Sequence, residues 1–301
     1  MSLPRHTYQV LPTRRMQGTD VPWPHDVYIA LPPSYERGDR IYPVLWVTDA
    51  SLSFLLAVGL MNWLHTVQEI PELIVIGVGA PGESDHAEFS GRRTHDFYPM
   101  SRWVNAGPGG AHMEAVLSDE MLRAGGGADA MLSFLVDKLR PQLAAEFRFA
   151  DDHGLVGFSG GGHFVGFALL SRPAAFGRYL AGSPALSGCE DLLFTLEAEY
   201  ATTHDDLAAK VFLGAGEAEL ADPYVAAADV VGSMTRMSQL LKLRNYPSLE
   251  LTSRLYPGQT HGSALSYALS EGLRTLYPCT TPSIDEQIET IGPSRPSADR
   301  A

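Results

Sequence analysis

The segment Gly157-Phe158-Ser159-Gly160-Gly161 reads G-x-S-x-G. It lies between a short apolar run (Leu155, Val156) and a small-residue stretch that continues apolar through Phe164, Val165, Phe167, Leu169 and Leu170. A serine held on a sharp strand-to-helix turn needs neighbours without side chains, so that its backbone can take a strained conformation and its hydroxyl can project alone. Such a turn requires a strand leading in and a helix leading out. With 29 glycines among 301 residues the string can also arise by chance, so its context has to carry the argument.

That context alternates between two periods. Residues 6–11, 26–31 and 43–47 are apolar or alternating runs bounded by Pro, Gly, Asp and Ser, and they read as strands. Residues 54–67 have helical apolar spacing, whereas LIVIGV at 73–78 is a β-branched run of the kind buried on both faces of a parallel sheet. Further strands are expected over 153–158, 178–181, 211–214 and 249–256. Helices are expected over 128–147 with a kink at Pro141, from the serine turn to about 171, over 191–201 and 222–243, and finally up to about 277. Asp222 before Pro223 is an N-cap with proline at the first helical position. The alternation predicts an α/β fold, a three-layer sandwich whose mostly parallel central sheet carries helices on both faces. One domain is expected over 1–277, followed by a disordered Pro/Ser/Thr/Asp-rich tail over 278–301. Residues 83–127, polar, aromatic and glycine-rich, predict a long ordered loop with one short helix.

The formal net charge of −13 argues against a nucleic-acid partner or an anionic membrane, since phosphate binding needs clustered Lys and Arg. Cys189 and Cys279 stand far apart and outside any C-x-x-C pattern, and they read as two free thiols. The first ten residues lack the basic start and apolar stretch of a secretory signal. The longest apolar run, 54–61, is far short of the roughly 20 residues a bilayer demands. A cytoplasmic protein without a membrane partner is expected, and a homodimer is compatible with the sequence. Gly77-Val78-Gly79-Ala80-Pro81-Gly82 fits the dinucleotide pattern G-x-G-x-x-G, but Pro81 and the polar residues after it lead into a loop and not a helix, so no pyrophosphate site follows. Neither a cofactor nor a metal is implied.

A serine hydroxyl needs a histidine to take its proton and a carboxylate to orient that histidine. On α/β scaffolds the order is Ser, then Asp or Glu, then His, each at the carboxyl end of a strand. Three histidines follow Ser159. His163 falls one turn into the following helix and suits a structural or substrate-side role, and His204 sits at a solvated helix end. His261, in the Pro-Gly-containing loop after the last strand, is the candidate base. The acid should follow strand 211–214, where Glu217, Glu219 and Asp222 are available; Glu219 is favoured, Glu217 is its rival, and Asp222 is accounted for as a cap. Two N–H donors are needed for the developing oxyanion. Gly160, after the serine, supplies one, and Ala50 or Ser51 in the loop Thr48-Asp49-Ala50-Ser51 the other.

Three segments resemble a family of α/β-hydrolases that includes siderophore (enterochelin) esterases, S-formylglutathione hydrolases, feruloyl esterases and mycobacterial mycolyltransferases. They are YPVLWVTDA at 42–50, RRTHDFYP at 92–99 and GFSGGGHFVGFALLSRPAAFGRYLAGSP at 157–184. The resemblance covers about residues 20–277 and implies the α/β-hydrolase fold. It also implies an acid three residues after a glycine, which Glu219 satisfies after Gly216, and a His-Gly, which His261-Gly262 satisfies. Departures are Ala50 for a glycine, His163 for an apolar residue and Tyr98 for a threonine. Arg92, Arg93 and Asp96 match a segment that could contact substrate or equally be held by an Arg-to-Asp pair. The expected activity is hydrolysis of a small-molecule carboxylic ester through an acyl-enzyme on Ser159, His261 and Glu219. An acyltransferase or thioesterase would use the same groups, whereas a non-catalytic binding module would need none of them.

Overall fold

The computed structural model describes residues 7–100 and 125–279. Residues 101–124 of the glycine-rich stretch and the C-terminal segment 280–301 lie outside the described residues.

The run IVIGVG has no polar face to offer water, and as β5 (Ile74–Gly79) it is buried along its whole length. Its neighbour β4 (Tyr42–Val47) pairs with it in parallel and, on its other edge, in parallel with β6 (Phe149–Phe158). Parallel pairing continues outward through β7 (Arg178–Gly182), β8 (Ala209–Gly216) and β9 (Leu249–Tyr256). At the opposite edge β3 (His25–Leu31) runs antiparallel to β5 and carries β1 (Gln9–Val10) and β2 (Arg14–Met16). Among the described residues this is one nine-stranded sheet, ordered β1-β3-β5-β4-β6-β7-β8-β9 with β2 on β3.

Helices cover both faces. On one, α1 (Ala50–Thr66) and α9 (His261–Leu276) pack side by side, burying Phe54, Met61, Leu269 and Leu273 against Leu45, Val75, Leu180 and Phe212. On the other lie α3 (Ala128–Ser133), α5 (Gly160–Ser171), α6 (Gly188–Thr203) and α8 (Val230–Arg244), whose apolar residues close over Trp46, Ile76, Leu155 and Val211. Burial of both faces explains why the central strands are apolar throughout and do not alternate.

Differences from the sequence-based expectation have local causes. β6 begins at Phe149, four residues before the expected start at 153, because Asp151 and Asp152 interrupt its apolar pattern. β2, written RRM, is a polar edge strand with no hydrophobic period to reveal it. Within the expected helix 128–147 a π-helical stretch, Phe134–Leu139, runs directly into α4 (Arg140–Ala144), which holds Pro141 in its first turn. The expected helix 222–243 is broken: α7 (Pro223–Ala227), capped by the Asp222 carboxylate on the Tyr224 and Val225 amides, ends before Asp229, whose φ of 52° turns the chain into α8.

The loops after β8 and β9 touch through backbone. Gln259 O accepts from Ala218 N at 3.0 Å, and a Cβ on Gly216 would stand 2.1 Å from the same oxygen. Gly216→Ala must therefore push the two loops apart. A loss of about 1–3 kcal/mol in urea unfolding is expected, with esterase activity reduced further than the unfolded fraction accounts for.

Candidate active site

The chain passes from β4 to β5 through α1 on one side, and β6 later adds to β4 on the other. In open α/β sheets this reversal leaves a crevice at the carboxyl ends of the strands. Asp49, two residues beyond β4, and Ser159, one beyond β6, meet there.

Ser159 stands between β6 and α5 with φ 58° and ψ −117°, a conformation costing about 1–3 kcal/mol that persists only where the surroundings impose it. Its amide donates to Gly182 O at 2.8 Å and its carbonyl accepts from His163 N at 3.0 Å, so sheet and helix grip it from both sides. The turn is too tight for flanking side chains. A Cβ on Gly157 would lie 2.1 Å from Gly161 O, and one on Gly160 would lie 2.8 Å from Arg93 Nη1 and 3.0 Å from the Tyr98 hydroxyl.

Glu219, in a short 3-10 turn after β8, is almost wholly buried. Its Oε1 accepts from Ser183 Oγ at 2.6 Å and from Gly216 N at 3.1 Å, and lies 3.6 Å from His261 Nδ1. That last separation is an electrostatic approach and not a hydrogen bond. Glu219 Oε2 and His261 Nδ1 are both buried without a hydrogen-bond partner, so a small shift that joins them satisfies two costly groups at once. Thr260 caps α9, and the His261 ring packs on Phe158 at 4.8 Å. Of the two rival acids, the structure brings Glu219 to His261; Glu217 is exposed and accepts from Gly258 N at 3.0 Å, bracing the turn before the histidine. Ser183, with φ 40° and fully buried, joins the site as a further functional candidate through its bond to Glu219. The Ser-Pro closing β7 was its signal.

The second helix, α2 (His86–Phe97), lies within the stretch expected to be mostly loop. Its Asp85 cap, accepting from Glu88 N at 2.8 Å, was legible as the D-x-x-E of a capping box. His86, Phe89, Ser90, Arg93 and Thr94 recur at helical spacing and face one cavity of about 450 Å³, which Ser159, His261, Tyr98, Tyr224, Leu52 and Leu265 also line. Arg93 crosses this cavity to the serine turn. Its Nε contacts both Asp49 oxygens at 2.9 Å, its Nη2 donates to Phe158 O at 3.1 Å, and its Nη1 is the atom beside Gly160. Burial alone would lower the Arg93 pKa, but the Asp49 carboxylate more than reverses this, and the guanidinium stays charged.

The other expected site residues are distributed differently. Arg92 turns away, pairing with Glu88 at 2.8 Å and lying over Trp23. Asp96 anchors α2 to β3, meeting the rings of His25 at 2.8 Å and His95 at 3.0 Å and accepting from the Trp23 indole at 3.3 Å. Neither of these two lines the cavity, so Arg93 pairs with Asp49 and not with Asp96. Ala50 and Ser51 also lie outside the lining; their amides face Gly79, whose missing side chain would start 3.1 and 3.0 Å from them. His163 is fully enclosed beneath Tyr98 and Ala185, its Nδ1 bonded to Ala185 O at 2.9 Å. Among the described residues no group of three or more His, Cys, Asp and Glu side chains could hold a metal ion, and no helix is long and apolar enough to cross a membrane.

Burial pushes the His163 pKa down from 6.5 to about 4. Between those values the unfolded chain binds a proton that the folded chain refuses, so stability falls as pH drops, by about 1.4 kcal/mol per pH unit, and levels off below the folded pKa. His153, also pushed down to about 4 by burial, adds a slope of the same sign. Urea unfolding of His163→Gln between about pH 4.5 and about pH 6 should show a slope smaller than wild type by about one such increment.

A family model described as Putative esterase matches residues 19–242. The chain is 24% identical over 236 residues to the uncharacterized protein YbbA of Bacillus subtilis, spanning 77% of this chain and 83% of that one. It is 28% identical over 174 residues to the siderophore enterobactin esterase of Emericella nidulans, spanning 56% of this chain and 52% of that one. Its fold is similar to that of the IroE-like serine hydrolase from Shewanella oneidensis, with a TM-score of 0.73 at 23% identity over 90% of this chain and 80% of that one. A family match over most of the length, on an α/β-hydrolase fold, establishes that the chain belongs to the Esterase family of carboxylic ester hydrolases.

Proposed function

We propose that this chain hydrolyses a carboxylic ester through an acyl-enzyme on Ser159. The observation that carries the proposal is the placement of Ser159, on its strained turn, and of His261 along one cavity at the strand ends, with the buried Glu219 carboxylate behind the histidine at 3.6 Å. Ser159 Oγ attacks the ester carbonyl while His261 Nε2 takes its proton, and Glu219 steadies the resulting imidazolium through Nδ1. The alcohol leaves with that proton. Water then repeats the sequence on the acyl-enzyme and releases the acid. The 3.6 Å gap between His261 and Glu219 closes as charge develops on the ring, since catalytic hydrogen bonds commonly tighten only when substrate is bound.

The negative oxygen forms beside the first turn of α5, where the Gly160 amide has no intrahelical acceptor. Arg93 Nη1 lies beside Gly160, 2.8 Å from where its Cβ would stand, and the rest of the guanidinium is anchored on the Asp49 carboxylate and Phe158 O. This chain thus complements a backbone donor with a guanidinium. The cavity walls suit a substrate that is partly aromatic or aliphatic, since Leu52, Phe89, Val225 and Leu265 supply apolar surface. Tyr98 and Tyr224 add hydroxyls near Arg93, favouring an oxygen-rich group beside the ester. Relatives named as siderophore esterases support a substrate of that kind.

Ser159→Ala should lower kcat for an aryl ester by roughly 10⁴-fold or more and abolish labelling by a fluorophosphonate. Full activity in that variant, or labelling at another residue, would overturn the proposal. Glu219→Gln should cost about 10³-fold or more and Glu217→Gln less than about threefold; the reverse order would reassign the acid. Arg93→Met should reduce kcat/KM about 10²-fold, the measure of one oxyanion donor, and destabilise the fold by about 3 kcal/mol through the orphaned Asp49.

A further inference from the structure

Helix α1 is written ASLSFLLAVGLMNWLHT and contains no Asp, Glu, Lys or Arg over its 17 residues. One face meets the sheet. The other leaves Leu52, Leu55 and Trp63 exposed at 71%, 75% and 63%, with Leu56 and Val67 also exposed. At about 100° per residue, Leu52, Leu55, Leu56, Gly59, Trp63 and Val67 fall within an arc of about 120°. The side chains therefore form one continuous stripe. Scattered surface leucines need no explanation, but an uncharged stripe the length of a helix does. A Cβ on Gly59 would meet nothing within 4 Å, so the middle of the stripe is an open notch where another backbone can come close.

We propose that a second copy of this chain docks there, α1 against α1 in antiparallel orientation. Two features favour a copy over other occupants. First, the stripe is complementary to itself: a twofold axis passing between Gly59 and Leu60 sets Trp63 opposite Leu56 of the second copy and Val67 opposite Leu52, with the two glycines at the crossing. A twofold contact requires such self-matching. Second, each copy carries a formal charge of −13, and repulsion between two of them is least where the surface bears no ionisable group. The same charge disfavours an anionic lipid surface. Leu52 also lines the rim of the cavity, so the contact runs from the mouth of the candidate active site outward. A pair of helices alone buries less than the about 800 Å² per partner of a stable dimer, so the association should be weak, with a Kd of about 10–100 µM.

Sedimentation velocity of the full chain tests this. The wild type should shift from monomer to dimer between about 1 µM and about 300 µM, and more readily at high salt, which screens the net repulsion. Trp63→Glu and Gly59→Leu should each weaken self-association at least about tenfold, leaving far-UV circular dichroism and esterase rate unchanged, because neither residue lines the cavity. Gly59→Leu is decisive: it adds apolar area, which strengthens binding to lipid, but it blocks close helix approach, which only a packed partner needs. A wild type that stays monomeric overturns the proposal. So does tighter self-association of Gly59→Leu, or its stronger binding to phosphatidylcholine vesicles. Association that appears only on removing residues 280–301 also overturns it, since the stripe would then belong to the chain's own C-terminal segment.

Discussion

The conformation of one residue organises the site. Ser159 holds a positive φ because β6 delivers it at the carboxyl end of the sheet, α5 begins immediately after it, and Gly182 and His163 bond its two backbone groups. No side chain fits at Gly157, where backbone stands in the way, and one at Gly160 would displace Arg93, so the nucleophile candidate stands clear of its own strand and helix. Everything that approaches it must come from other elements: Arg93 from α2, the candidate histidine from the first residue of α9, the candidate acid from the turn after β8. The sheet aligns those strand ends, and their convergence on one cavity follows from that alignment.

Charge within the site is arranged so that each buried group is mostly satisfied before a substrate arrives. Asp49 fixes Arg93, Ser183 and Gly216 fix Glu219, and Ala185 fixes His163. What stays unsatisfied is informative. Glu219 Oε2 and His261 Nδ1, both buried and unbonded, lie where a positive ring would be stabilised most, because a low-dielectric surrounding strengthens an ion pair that water would weaken. In the proposed reaction those two groups would meet the charge that develops on the ring.

The strands, the serine turn and the order of serine, acid and base were legible in the sequence because each rests on local chemistry: β-branched runs, glycines at a tight turn, a carboxylate after one strand and a histidine after another. Helix α2 was less legible. Most of its residues are polar, since one face lines a cavity and the other anchors on His25 and Trp23 through Asp96, and Phe89 and Phe97 alone are too few to mark a hydrophobic period. Asp49 and Ser183 went unremarked for a related reason. A carboxylate after a strand and a serine before a proline look like ordinary turn residues until their partners, 44 and 36 positions away, are seen beside them.

The sequence by itself determined that this chain builds an α/β sheet around a glycine-flanked serine, because backbone propensity, burial and turn sterics act between near neighbours. Only the tertiary structure decided that Glu219 and not Glu217 meets His261, that Arg93 and not Asp96 reaches the serine turn, and that Leu52, Leu55 and Trp63 of α1 face outward from the sheet. Those outcomes depend on the direction a side chain takes from its helix or turn and on what another part of the chain places opposite it, and neither is a property of local sequence.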